Sequence, residues 1–237
     1  ELAGPDGEVW VVAPAFEQSG VSHCVSYIRP MRLEQLDDRR FAVEGSPADC
    51  VLAGIGEILA ETPPDLVISG VNRGHNVAED TLYSGTVGGA MEGALHGMRA
   101  IAMSQYYGPE TVGAGDPFSA SQAHGAAVIR QILAHDTWAH DRYGVFYNVN
   151  FPARPADRVA GVRATMQGHR EGPTFGVRPQ TAPNGRRFLW LTHGHGNAGT
   201  KPGTDSREAH DGFITVTPLS ADLTAHSLIA PLAEALA

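Results

Sequence analysis

Apolar and polar positions along the chain fall into short, dense hydrophobic runs separated by polar, glycine-rich stretches. EVWVVAP (Glu8–Pro14) is β-branched and closed by proline, which predicts a buried strand. VSYIRPMRLEQL (Val25–Leu36) and RRFAVEG (Arg39–Gly45) flank Asp37-Asp38 and predict a hairpin. SPADCVLAGIGEIL then opens with Ser46 as N-cap, Pro47 at the first helical position and Asp49 three residues after the cap, a combination that starts a helix. PDLVISG (Pro64–Gly70) is apolar without alternation, as expected of a parallel strand covered on both faces. TVGGAMEGALHG predicts a tightly packing helix ending at Gly97, and RAIAMSQ a further strand. PFSASQAHGAAVIRQILAH predicts a helix and GVFYNVNFP the strand after it.

Strands alternating with helices imply βαβ units, so the expected fold is α/β, a Rossmann-like, mostly parallel sheet flanked by helices. After Pro152 the rhythm changes. VAGVRATMQG, RRFLWLTHG and GFITVTPL are strand-like runs between Gly/Pro/Asn-rich loops, and LIAPLAEALA is helical. Residues 1–152 are accordingly expected to form the Rossmann-like core, and 153–237 a β-rich extension with a C-terminal helix within the same domain.

Composition narrows the class. With 237 residues, 42% hydrophobic and 18% charged, the chain suits one large folded α/β domain. No run approaches the roughly 18 apolar residues of a membrane span, and no basic-then-apolar signal opens the chain. Two cysteines, Cys24 and Cys50, are too few for a disulfide framework, so reduced thiols and a cytoplasmic setting are expected. The net charge of −9 argues against a nucleic-acid duplex or an anionic membrane as partner. A small phosphorylated ligand remains compatible, because a divalent cation reverses the local sign.

Candidate chemistry concentrates in SGVNRGHNVAEDTLYSGTV (Ser69–Val87), a polar loop set between an apolar strand and a helix. In open parallel sheets ligands bind beyond the carboxyl ends of the strands. Ser84-Gly85-Thr86 stands at a helix N-terminus, where free N–H groups favour an anion, although one such residue alone reads as a plain cap. Asn72 and Asn76 could be turn residues, or oxygen donors to a hard cation.

These stretches, together with VVAPAFEQSGVSHCVS, GSPADCV, NVNFP and PGTDSREAHDGFITVTPLSADLTAH, closely resemble the SurE family of stationary-phase survival proteins, metal-dependent nucleotidases. The resemblance implies one Mg or Mn ion per subunit, with Ser19 and Asn72 as ligands. It places Asn76 and Ser84 as active-site polar groups and Gly85 and Thr86 as the phosphate cradle, with Thr204 and Asp205 in a loop beside the same pocket. It further implies hydrolysis of nucleoside monophosphates, at 5′ and possibly 3′ positions, and homodimers or homotetramers formed through exchanged C-terminal segments. The family's opening strand ends in an Asn-Asp-Asp-Gly motif whose aspartates charge the metal site, and no such motif stands in these 237 residues. The chain as given is therefore expected to be catalytically impaired. A non-catalytic nucleotide-binding or scaffold protein on the same fold is the alternative.

Other signals point away from the site. Asp37-Asp38, followed by two arginines, reads as a solvated turn, and Glu79-Asp80 matches the family's loop but not its metal pair. GHGNAG (194–199) fits GxGxxG literally but is followed by a Pro/Gly loop, so a dinucleotide-binding enzyme is not expected. His193 and His195 lack a third ligand at spacing, Cys24 lacks a partnered histidine, and Trp10, Trp138 and Trp190 are expected in cores or interfaces.

Overall fold

The computed structural model describes residues 2–5, 7–113, 115–135, 138, 143–172, 175–193 and 200–237. The GHGNAG stretch and His195 lie outside them. Strand β1 (Val11–Pro14) runs parallel to β3 (Arg40–Val43), which turns back antiparallel on β2 (Leu33–Asp37) to give a three-stranded sheet. The hairpin forms around Asp37-Asp38 as expected. The Asp37 carboxylate accepts from the Arg39 amide and the Arg40 guanidinium, which spends it within the turn. The preceding apolar run does not form a strand over its whole length: Tyr27 and Ile28 are exposed in a loop, and pairing begins only at Leu33.

Helix α1 (Pro47–Ala53) starts with the capping box read from its sequence, and it continues into wider π turns over Gly54–Ile58. Ser46 Oγ accepts from the Asp49 amide at 3.1 Å, while Asp49 Oδ2 accepts from the Ser46 amide at 2.8 Å.

The central sheet has five strands in the order β4 (Val67–Arg73), β5 (Ala100–Gln105), β6 (Phe146–Phe151), β10 (Ile214–Leu219) and β7 (Val162–Ala164). β4, β5 and β6 are parallel, and β10 runs antiparallel to β6. The late strand β10 is thus inserted beside the centre of the sheet. Helix α2 (Gly85–Leu95) covers one face and α4 (Ser119–Leu133) the other, with short α3 (Pro109–Gly113) and α5 (Asp205–His210) in the connections.

Strand alternation sorts the two faces. Ile101, Met103, Tyr147, Val149, Phe151 and Ile214 pack on Val128, Ile129 and Ile132 of α4. Full burial of each large side chain here contributes about 1.5–3 kcal/mol. Ala100, Ala102 and Phe146 face Val87, Ala90 and Ala94 of α2. Towards the carboxyl ends of β5 and β6 that second face turns polar, with Ser104, Asn148 and Asn150 wholly buried. β5 and β6 are buried at every position, whereas β4, expected to be covered on both sides, is the sheet's edge strand and leaves Ile68 40% exposed.

A separate hairpin pairs β8 (Phe175–Thr181) with β9 (Arg187–His193). It exposes Val177, Leu189, Trp190 and Leu191. The C-terminal α6 (Ile229–Leu236) likewise turns Ile229, Leu232 and Leu236 to solvent and buries no residue. No helix among the described residues is long and apolar enough to cross a membrane.

Candidate active site

The loops after β1 and β4 converge on the start of α2. Ser84 caps that helix, its Oγ accepting from the Val87 amide at 3.1 Å, and Gly85 and Thr86 form the first turn. The amides of an opening turn have no intrahelical acceptor and carry the positive end of the helix dipole. Ser84 and Gly85 are buried and Thr86 is half-buried.

The loop bearing Ser19 lies against this helix. Ser22 donates its amide to Tyr83 O (3.0 Å) and its hydroxyl to Leu82 O (2.6 Å), which holds a left-handed backbone at Ser22 (φ 54°). A Cβ on Gly88 would stand 2.6 Å from Ser22 O, so glycine is what lets the loop seat on α2. Further along, the Ser26 amide donates to Asp49 Oδ1 at 2.9 Å. Ser19 itself is exposed and bonds Glu17 Oε1 at 3.0 Å.

Asn72 sits near the end of β4, where the pairing with β5 shifts register between Ser69 and Asn72. Gly70 takes up that shift at φ 126°, and a Cβ there would meet Met103 O at 2.2 Å. Asn72 Nδ2 donates to Gly74 O at 3.0 Å. That bond fixes the amide and leaves Oδ1 as its acceptor end.

Asn76 is held from several sides. Its amide donates to Asn150 Oδ1 (2.7 Å), and its carbonyl accepts from Asn148 Nδ2 (2.7 Å) and Asn150 Nδ2 (3.2 Å). Its own Nδ2 donates to Ser104 Oγ at 2.7 Å. The polar carboxyl half of the sheet face is therefore a mount for Asn76, and satisfied networks of this kind fix one geometry.

Thr204 and Asp205, expected beside the phosphate, are turned into the protein instead. Thr204 Oγ1 donates to Lys201 O at 2.6 Å. Asp205 is 0% exposed, and its carboxylate accepts from the amides of Ala78, Gly168 (2.8 Å) and Ser206 (2.7 Å). Burial pushes its pKa above the ordinary value, despite those amides and the nearby Arg170 charge. The carboxylate thus ties the turn after Asn76 to the start of α5, holding Ala78 at φ 52°.

Glu79 and Asp80 are spent on Arg170, a residue that sequence reasoning missed. The Arg170 side chain, 6% exposed, forks onto Asp80 at 2.9 and 2.7 Å, and its amide donates to Glu79 Oε1 at 2.9 Å. His75 stands 3.6 Å from Asp80 and packs its ring on Tyr106 with centroids 4.1 Å apart. No local signal marks Arg170, because its partners lie some ninety residues earlier in the chain.

Burial raises the Glu79 pKa, but the Arg170 amide, its own amide, His169 and the Arg170 charge outweigh it, leaving the value below the ordinary 4.5. Asp49 also ends below its ordinary 3.8: burial raises it, and the Ser26 and Ser46 amides and hydroxyls bring it down further than that. A carboxylate lowered in the folded state contributes stability above its unfolded pKa and loses it as pH falls through the folded value. The Glu79 and Asp49 contributions should therefore be fully present above about pH 5 and be lost progressively below it in thermal melts, while Asp205, whose value is raised, works in the opposite sense. Glu79→Gln should flatten part of that decline, and an unchanged profile would remove Glu79 as a contributor.

The side chains expected at a metal and a phosphate are hard oxygen donors: the Ser19 hydroxyl, here bonded to Glu17, the Asn72 amide oxygen and the Ser84 hydroxyl. They fit Mg or Mn in type but bring no charge. Among the described residues no group of three or more His, Cys, Asp or Glu is arranged to hold a metal. The amide-lined start of α2 is suited to an anion, phosphate above all.

Comparison with known proteins agrees with this architecture. The family model described as Survival protein SurE matches residues 1–173. Curated relatives named 5′-nucleotidase SurE include that of Roseobacter denitrificans, 59% identical over 232 residues, covering 98% of this chain and 89% of the relative. Another is that of Ruegeria pomeroyi, 58% identical over 234 residues with the same coverage of both. The crystal structure of the SurE protein from Aquifex aeolicus superposes with a TM-score of 0.79 at 32% identity, covering 98% of this chain and 90% of that one. With a matched family model over most of its length and relatives this similar end to end, the chain belongs to the SurE family.

Proposed function

We propose that this protein is a divalent-metal-dependent 5′-nucleotidase that converts a nucleoside monophosphate and water to a nucleoside and inorganic phosphate. The observation that carries this reading is the Ser22–Tyr83 bond, which locks the loop bearing Ser19 to the cap of α2. On this reading one junction would join oxygen donors for a cation to amides for an anion. The amides of Gly85 and Thr86 and the Ser84 hydroxyl would receive the phosphate oxygens and stabilise the charge that develops on them. Ser19 and Asn72 would hold the metal, and Asn76 would orient the phosphate from its mount on Ser104, Asn148 and Asn150. When bound, the metal neutralises phosphate oxygens and polarises phosphorus. Thr204 and Asp205 would serve as the support behind this wall.

Because Ser19 and Asn72 are neutral, charge for the cation must come from carboxylates or from the substrate phosphate. Phosphate release from AMP with Mg or Mn, and its loss with EDTA, is the direct test. A chain carrying an Asn-Asp-Asp-Gly strand ahead of residue 1 should turn over at least about 100-fold faster than these 237 residues alone. Equal rates would remove the idea that such carboxylates complete the site. Binding of AMP without any metal-stimulated release in either chain would favour a non-catalytic scaffold. The exposed apolar stripe of α6 and the β8–β9 hairpin support a homodimer or homotetramer, the C-terminal segments being covered by neighbouring copies.

A further inference from the structure

Glu92 is the sole charged residue of α2, a helix otherwise built from Gly, Ala, Val, Thr, Met and Leu, and its side chain is only 9% exposed. Placing a carboxylate there is unfavourable unless it is partnered, and alanine would fill the position without that cost. Both oxygens are in fact taken. His23 Nε2 lies 2.5 Å from Oε2, and His96 Nε2 lies 3.0 Å from Oε1. His96 is one turn away on the same helix, whereas His23 belongs to the loop that carries Ser19 and is 69 residues distant.

Gly88 and Glu92 are four residues apart and so share a helix face. At Gly88 the missing Cβ admits the backbone of Ser22 and His23, and at Glu92 the His23 ring is anchored. The loop is thus seated by contact at one turn and tied by a side chain at the next. Beside that seat Ser22 also bonds Leu82 O and Tyr83 O.

We propose that Glu92, acting through His23, is a positioning residue that holds the Ser19 loop against α2 and so sets the metal-ligating oxygen relative to the phosphate cradle. This rests on the reading of Ser19 as a metal ligand. His96 shares the carboxylate from the same helix rather than from the loop, which makes it the natural control.

The test combines amide hydrogen exchange with metal activation of the full-length protein. In His23→Ala and Glu92→Ala, the Ser22 and Ser26 amides should exchange at least about tenfold faster, while amides in β5 and β6 keep their rates. Glu92→Gln keeps an acceptor and gains a donor that one imidazole can meet by changing tautomer, so it should retain the protection, as should His96→Ala. The Mn concentration for half-maximal activity should rise in the two alanine variants at positions 23 and 92, with kcat at saturating Mn kept within about twofold. Unchanged loop exchange in both, or acceleration spread evenly through β5 and β6, would overturn the positioning role. If Ser19→Ala leaves metal activation untouched, the ligand assignment of Ser19 is wrong, and the exchange data still decide whether Glu92 holds the loop.

Discussion

Asp205→Ala should lower the unfolding free energy by about 3–5 kcal/mol, a large share of the roughly 5–15 kcal/mol that holds an ordinary domain folded. The carboxylate is wholly buried and accepts from three backbone amides on three different segments. Deleting it strands those donors where water does not replace it, at about 1–3 kcal/mol for each group left unsatisfied. Part of that loss is offset, because burial already disfavours the ionised form. Asp205→Asn separates the two effects. An asparagine oxygen at the Oδ1 position still accepts from Gly168, Ser206 and Ala78, while its NH2 opposes the Ala78 amide, now 3.1 Å from Oδ2. The amide variant should therefore lose only about 1–2 kcal/mol. Urea unfolding of both variants measures this. Asp205→Ala within about 1 kcal/mol of the parent would show that the turn after Asn76 does not depend on this clamp.

Ser84 offers the largest expected effect on activity. Its Oγ accepts from the Val87 amide, which uses a lone pair and leaves the hydroxyl proton free to donate to a phosphate oxygen. Ser84→Ala should cost about 1 kcal/mol of stability through the lost cap. It should also reduce kcat about 100-fold or more through the lost donor. Ser84→Asp distinguishes capping from catalysis. Aspartate caps as well as serine and favours the helix dipole, so stability should match or exceed that of the parent. Its carboxylate would occupy the place of the phosphate and repel it, so activity should disappear and inorganic phosphate should cease to inhibit. Ser84→Asp keeping activity within about tenfold of the parent would sink the cradle as drawn.

Features governed by neighbours in sequence were legible without the fold. The capping box of Ser46 and Asp49, the hairpin at Asp37-Asp38, the stop at Gly97 and the buried runs of β5 and β6 all follow from local preference and period. The Ser84-Gly85-Thr86 helix start was equally plain, because its signal lies within four residues. The exposed edge of β4 was not: periodicity tells an apolar run from a polar one but does not fix its place in the sheet. Thr204 and Asp205 read as a loop beside the pocket, yet they lie inside the protein, because the amides that claim Asp205 come from residues 78 and 168.

By itself the sequence determined an α/β chain of the SurE family, the alternation of its main strands and helices up to β6, and the polar stretch from Ser69 to Val87, but not β8, α3 or α5. Those properties rest on composition, short-range periodicity and motifs that need no partner. Only the tertiary structure decided which polar groups remain available for chemistry. Glu79 and Asp80 are committed to Arg170, Asp205 to backbone amides and Glu92 to His23. The physical reason is that a buried charge or hydrogen-bonding group must find its complement wherever the fold brings one. In this chain each of these groups has at least one complement tens of residues away.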